Sequence, residues 1–289
     1  MREYRFRAMG TEVAVLGPVG PHFSSATAAV RRRFATEERR FSRFRMDSEL
    51  SRVNQASGTL VRVSGGFAEV TRLALVAARR TGGLFDPTVH DALVAAGYDR
   101  DFDEVLAGAR GALHAAVPCG RWREVRLDGD ALHLPPEVHL DFGGIAKGWT
   151  SDRAAEDALA TGLPWVLVNA GGDLRLEGDA PAIDVSVEDP EARGTELLRL
   201  KLTGGALATS SVAKRSWAPG KHHVIDPRTG KPAGTDLLQA TVWAPTCARA
   251  EVLATQALLL GRTSAPPCPA IIVSRDGEVA VSMPFLEAA

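Results

Sequence analysis

Apolar and polar residues alternate along YRFRAMGTEVAVLG near the N-terminus, which predicts a strand with a kink at Gly10. The period then changes. From residue 22 to 45, Ala26, Val30, Phe34 and Phe41 recur at helical spacing. Ser48 heads a short helical stretch that Gly58 ends. A second long helix is expected over 66–81, with Phe67, Val70, Leu73, Leu75 and Ala78 mainly on one face and Gly82-Gly83 as its stop. Pro87 marks a turn or a helix start. The stretch REVRLDGDALHLPPEVHLDFGG reads as strands joined by Asp-Gly and Pro-Pro turns. A third helix is expected from about Ile145 toward Thr161.

Beyond it, PWVLVNAGG, DLRLEG, AIDVSVED, ELLRLKLT, GALATSS, HHVIDP and LQATVWAP all read as strands. An Ala/Leu-rich helix from about Ala248 to Leu260 ends at Gly261, and AIIVSRDGEVAVS reads as a hairpin with an Asp-Gly turn. Strands and helices mix without regular βαβ alternation, so the fold class is α+β. No repeat, low-complexity tract or linker divides the chain, which predicts a single domain over residues 1–289.

Composition narrows the function classes. With 289 residues, 45% hydrophobic and 24% charged, the chain has the balance of a water-soluble globular protein. A formal net charge of -1 gives no global field toward nucleic acid or an anionic membrane, so neither is expected as a partner. Arg31-Arg32-Arg33 is followed by Glu37 and Glu38, as on a solvated helix face. Three widely spaced cysteines, with no CxxC pair or Cys/His zinc spacing, argue against a disulfide framework and a zinc site. The first residues carry charge and no apolar run. No signal peptide or membrane insertion is expected, and the expected location is the cytoplasm.

Four segments suggest chemistry. Leu140-Asp141-Phe142-Gly143-Gly144-Ile145-Ala146-Lys147-Gly148-Trp149 reads as a strand, a glycine turn and a helix start, a place where free N–H groups suit phosphate. Lys147 falls in the first helical turn, where the dipole disfavours a cation, and a negative ligand would remove the conflict. A plain strand-to-helix turn with an exposed lysine is the alternative. Val168-Asn169-Ala170-Gly171-Gly172-Asp173 interrupts a buried strand with two glycines, as a bulge or a close ligand approach would require. His222-His223 precede the turn Asp226-Pro227-Arg228-Thr229-Gly230, and histidine is the usual general base near neutral pH, although a strand histidine also serves structure. Glu251 and Thr255, at i and i+4 on an apolar helix, offer oxygen ligands suited to Mg²⁺; an exposed first-turn glutamate is the alternative.

Taken in order with Met9-Gly10-Thr11, with Phe41-Ser42 running to Ser48-Glu49-Leu50-Ser51 and Asn54, and with Gly83-Leu84-Phe85-Asp86-Pro87-Thr88-Val89, these segments closely resemble the ApbE family of flavin transferases. The resemblance runs from Met9 to Gly261. It implies two packed α+β lobes with a cleft for FAD and Mg²⁺, and transfer of FMN from FAD to a Thr or Ser hydroxyl of an acceptor protein with release of AMP. Some members hydrolyse FAD to FMN and AMP instead, and a non-catalytic FAD carrier is a third reading.

Position by position, the resemblance implies that Met9 touches the flavin. It implies that Asn54, Asp86, Thr88 and Val89 line the FAD site, and that Asp141, Lys147, Trp149 and Ile225 lie near the cofactor. His223 is implied as the catalytic base. The Ala146 carbonyl, Glu251 and Thr255 are implied as the metal ligands. Glu251 stands where the family usually has Asp, and the stretch from Ala208 to Trp217 departs from the commoner Ser-Gly-aromatic form. Many relatives are exported lipoproteins, and a chain without that signal implies an acceptor facing the cytosol.

Overall fold

The computed structural model describes residues 1–108, 116–262 and 268–282. In chain order the elements are β1 (Arg2–Ala8), β2 (Thr11–Gly17), α1 (Phe23–Phe41), α2 (Glu49–Gln55), β3 (Leu60–Arg62), α3 (Gly65–Arg80), α4 (His90–Ala95), α5 (Phe102–Leu106), β4 (Arg126–Asp128) and β5 (Ala131–His133). They continue with α6 (Ala146–Leu159), β6 (Trp165–Ala170), β7 (Asp173–Gly178), β8 (Ile183–Glu188), β9 (Glu196–Leu202), β10 (Gly205–Ser211), β11 (Ser216–Ala218), β12 (Lys221–His222) and β13 (Ile225–Asp226). The last are β14 (Lys231–Pro232), β15 (Leu237–Ala244), α7 (Cys247–Leu260), β16 (Ala270–Ser274) and β17 (Val279–Val281). The chain forms two compact units. Unit 1 comprises residues 1–36, 147–214 and 235–289; unit 2 comprises 37–146 and 215–234.

Unit 1 is built on an eight-stranded sheet in the order β1-β2-β6-β7-β10-β15-β16-β17, antiparallel at every pairing. Period-two patterning divides its faces. Val166, Val168 and Ala170 of β6 join Phe23, Ala26, Val30 and Phe34 of α1 and Ala154, Ala155 and Ala158 of α6 in one cluster. Trp165 and Leu167, which alternate with them along β6, join Leu176, Leu207 and the β8–β9 ribbon in another. Ala206 and Ala208 of β10 pack on Cys247 and Ala250 of α7. The small residues let α7 lie close to the sheet.

The first strand is a hairpin rather than one kinked strand. Met9 and Gly10 both take positive φ, 51° and 68°, as a two-residue turn matched to strand twist demands. Gly171 and Gly172, at 66° and 104°, turn β6 into β7 in the same way. A Cβ on Gly171 would lie 2.2 Å from Thr11 Oγ1, so the Met9-Gly10-Thr11 turn and the double-glycine turn sit against each other.

Helices α6 and α7 cross at Gly148, where a Cβ would lie 2.6 Å from the Cys247 carbonyl carbon. Asp152 of α6 accepts from the Cys247 and Ala248 amides at 2.8 and 3.0 Å, filling donors that the start of α7 leaves open. Thr246 caps the same helix through the Arg249 amide.

Unit 2 carries helices α2 to α5 and the small sheet β3-β5-β4. Phe41, Phe67 and Phe142 pack edge-on and stacked at its centre. Ser48 and Ser64 cap α2 and α3. Three expectations differ here. Residues 138–142 form no strand, because Asn54 pairs with Leu140 in place of a neighbouring strand: its Nδ2 donates to the Leu140 carbonyl at 2.9 Å and its Oδ1 accepts from the Leu140 amide at 2.8 Å. The HHVIDP segment is not one strand but two short pairings, β12 and β13, with His223 and Val224 between them. Helix α1 stops at Phe41 rather than 45.

The helix crossing yields a direct test. Gly148→Ala places a methyl against backbone that cannot swing away, and overpacking of this kind costs roughly 1–3 kcal/mol. The urea midpoint should fall by the corresponding amount, and an unchanged midpoint would show that α6 and α7 have room to part.

Candidate active site

In unit 1 the helix crossing assembles a charged group. Lys147, in the first turn of α6, donates from Nζ both to Asp173, at the start of β7, and to Glu251 of α7. Glu251 also accepts from the Gly148 amide at 2.9 Å. Both carboxylates are buried, at 3% and 4% exposure, so the exposed first-turn alternative for Glu251 is excluded. Thr255, one turn on, donates to the Glu251 carbonyl at 3.2 Å, and its hydroxyl lies 3.1 Å from Ser210 Oγ. Trp149 is buried on α6 beneath the Arg153 guanidinium. The dipole conflict at Lys147 is thus met by two of the chain's own carboxylates.

The charges do not cancel. One ammonium faces two carboxylates, so the group carries -1 when all three are ionised. Burial opposes the Lys147 charge, but Asp173 and Glu251 outweigh it and hold the ammonium protonated far above neutral pH. Burial first, and then the charge of Asp173, push the Glu251 carboxyl up to about 7 against the pull of Lys147 and the Gly148 amide. Lys147 gains from both acids, whereas Glu251 also feels the charge of Asp173. An additional proton or a metal cation relieves the surplus. Hard oxygen donors on Glu251, Asp173 and Thr255 fit a Mg²⁺-class ion. Ala146 opens α6 two residues before the Gly148 amide.

Met9 is half-buried against the helix-facing core of unit 1, at the positive-φ turn beside Gly171. A non-glycine residue held there is strained backbone of a kind that clusters at ligand sites.

In unit 2 the sequence-derived positions have mostly organising contacts. Asp86 accepts from the Thr88 amide and hydroxyl at 2.8 and 2.6 Å, and from the Gly120 amide at 2.6 Å. Asp141 accepts from the Gly143 amide at 2.7 Å and faces Arg43 Nε at 3.5 Å. Val89 and Ile225 pack with Tyr98 and Trp217 in one apolar cluster. The two histidines separate clearly. His222 is buried, with Nε2 3.2 Å from the Ala233 carbonyl and Nδ1 3.3 Å from the Val224 amide, so its ring is committed to backbone. The His223 side chain is only half-buried.

Two residues escaped the sequence reading. Asp173 carried only the signal of following a double glycine. Arg43 carried none. Its guanidinium lies 4.1 Å from the Tyr98 ring centre and 4.5 Å from that of Phe44. Its side chain is 8% exposed, and Nη1 and Nη2 are buried with no hydrogen-bond partner among the described residues. Orphaned donors of this kind suit an oxygen-rich ligand.

A model of the ApbE family matches residues 9–278, and the chain belongs to that family. It is a transferase. Among curated relatives, a protein of Vibrio cholerae named FAD:protein FMN transferase is 28% identical over 229 residues, covering 76% of this chain and 69% of its own length. One of Treponema pallidum with the same name is 30% identical over 241 residues, covering 75% and 66%. The ApbE protein of Thermotoga maritima has a crystal structure that superposes with a TM-score of 0.85 at 26% identity, over 99% of this chain and 98% of that one. The flavin transferase ApbE of Vibrio cholerae shares the fold, with a TM-score of 0.81 at 24% identity over 100% and 99% of the two chains. Among the described residues, no helix is long and apolar enough to cross a membrane.

The raised Glu251 carboxyl makes stability depend on pH. A carboxyl whose pKa rises on folding, here from the ordinary 4.5 to about 7, stabilises the fold fully below the lower value and loses that contribution as pH climbs through the upper one. In metal-free buffer, the urea midpoint relative to that of Glu251→Gln should therefore fall between about pH 5 and about pH 8. A difference that stays flat would show that Glu251 is ionised throughout.

Proposed function

We propose that the chain transfers FMN from FAD to a Thr or Ser hydroxyl of an acceptor protein, with Mg²⁺ required and AMP released. The observation that carries this reading is the buried group of Lys147, Asp173 and Glu251 with its surplus negative charge, beside Thr255, in a chain of this family. FAD as substrate and a protein as acceptor follow the names of the relatives.

In this reading Glu251, Thr255 and the Ala146 carbonyl hold the ion, and Asp173 adds charge of the same sign. When bound, Mg²⁺ supplies electrophilic compensation for the charge that builds on the pyrophosphate. The acceptor oxygen forms a bond to the FMN phosphorus as the bridging P–O bond breaks, and AMP departs with the bridging oxygen. His223 takes the hydroxyl proton, in the position that the family resemblance implies, whereas the His222 ring is held between Ala233 and Val224. Met9 contacts the flavin. Asp141, Lys147, Trp149 and Ile225 lie near FAD, and Asn54, Asp86, Thr88 and Val89 shape the backbone that receives it.

The test is incubation of the protein with FAD, Mg²⁺ and a domain carrying a candidate acceptor threonine, read by intact mass. An FMN adduct with an equivalent of AMP is expected, and both should vanish on removal of Mg²⁺. AMP and free FMN without adduct, across several acceptors, would mean hydrolysis of FAD, and intact bound FAD would mean a carrier. His223→Ala should still bind FAD but transfer about 10²- to 10⁴-fold more slowly. Transfer at the wild-type rate would remove His223 from the role of base.

A further inference from the structure

A second cluster of ligating side chains lies wholly within unit 2 and shares no residue with the Lys147 group. His90 opens α4, Asp91 follows it, and His139 immediately precedes the Leu140 backbone that Asn54 grips on both sides. Asp91 Oδ1 is 3.0 Å from His90 Nδ1 and 2.8 Å from His139 Nδ1, and Oδ2 is also 2.8 Å from His139 Nδ1. One ligand atom from each residue lies within 4.8 Å of the others. The two imidazole rings stand edge to face, with centroids 5.6 Å apart and planes at 62°. The pair brings both Nδ1 atoms to one carboxylate.

We propose that His90, Asp91 and His139 form a binding site for a borderline divalent transition ion of the zinc, cobalt and nickel class, completed by water. Two imidazoles and one carboxylate select that class over Mg²⁺ and Ca²⁺, which prefer all-oxygen shells. Ligands about 2.0–2.1 Å from a tetrahedral ion lie about 3.3 Å from one another. The distances of 2.8–3.0 Å along the carboxylate–imidazole edges are therefore a few tenths of an ångström short, and a small opening admits the ion.

Metal-free, Asp91 accepts from the two Nδ1 atoms. On binding, each ring carries its proton on Nε2 and turns the Nδ1 lone pair to the ion. Side-chain exposures of 22%, 32% and 30% leave water a route to the remaining position.

Both walls are held. Ala92 and Leu93, just after the ligands, are buried in the cluster with Tyr98 and Ile225, and His139 is tied through Leu140 to Asn54. The ion would clip the segment after Asp86 and Thr88 to the segment before Asp141, 48 residues away. The absence of a Cys/His zinc spacing does not bear on such a set, because its ligands converge only in the folded chain.

Co²⁺ titration of the chelator-stripped full-length protein tests the site, followed by visible absorption and native mass. Wild type and Glu251→Gln should each show the strong visible bands of one Co²⁺ in a low-coordinate, imidazole-containing site, whether or not a second, weakly absorbing ion binds elsewhere. His90→Gln and His139→Gln should lose those bands and weaken binding by about tenfold or more. Absence of strong bands in the wild type would overturn the proposal. So would bands that Glu251→Gln abolishes, or that both histidine variants keep. Should a histidine variant fail to fold, the comparison of wild type with Glu251→Gln still decides between the two sites.

Discussion

A single ammonium shared by two buried carboxylates organises unit 1. Lys147 alone would be badly placed, at the positive end of the α6 dipole. Asp173 and Glu251 alone would be buried charges without a counter-ion, and breaking such an arrangement by removing one partner costs about 3–5 kcal/mol. The three meet because Gly148 lets α7 come close enough for Glu251 to reach the α6 amide. The sheet does its part through the Gly171-Gly172 turn, which starts β7 at Asp173. The group that remains is closed in structure: every member is hydrogen-bonded, yet when all three are ionised one negative charge is left over.

In unit 2 the positions that carry the family resemblance are held mainly by contacts with their own backbone. Asn54 substitutes for a strand partner of Leu140 and so fixes the Asp141 to Gly144 segment. Asp86 spends its carboxylate on the Thr88 and Gly120 amides and the Thr88 hydroxyl, which sets the loop that leads into α4. These side chains are consumed by their own loops. Arg43 is the opposite case, a buried side chain whose terminal nitrogens have no partner among the described residues.

The contrast explains what could be read from sequence. Period-two and period-3.6 patterning located α3, α6, α7 and the strands of the large sheet to within a few residues, because burial on one face imposes the period directly. Glu251 and Thr255 were visible as a pair because i and i+4 share a helix face. Gly10 reads as a kink in sequence, because the hairpin turn puts Met9 and not a glycine at its first positive-φ position. The missing strand at 138–142 was invisible because an asparagine from α2, 86 residues away, makes the pairing. Asp173 and the His90–Asp91–His139 set come together only through tertiary contacts, which no local spacing encodes.

In the function proposed for this chain, the surplus charge around Lys147 serves the metal requirement of FMN transfer. The most direct measurement is the initial rate of adduct formation against Mg²⁺ concentration for the wild type and Asp173→Asn, with FAD saturating. Removing one negative charge while keeping the shape should raise the Mg²⁺ concentration at half-maximal rate by about tenfold or more, the loss of about 1.4 kcal/mol of ion binding. The same half-maximal concentration in both proteins would contradict the claim and leave the Lys147 group a structural tie.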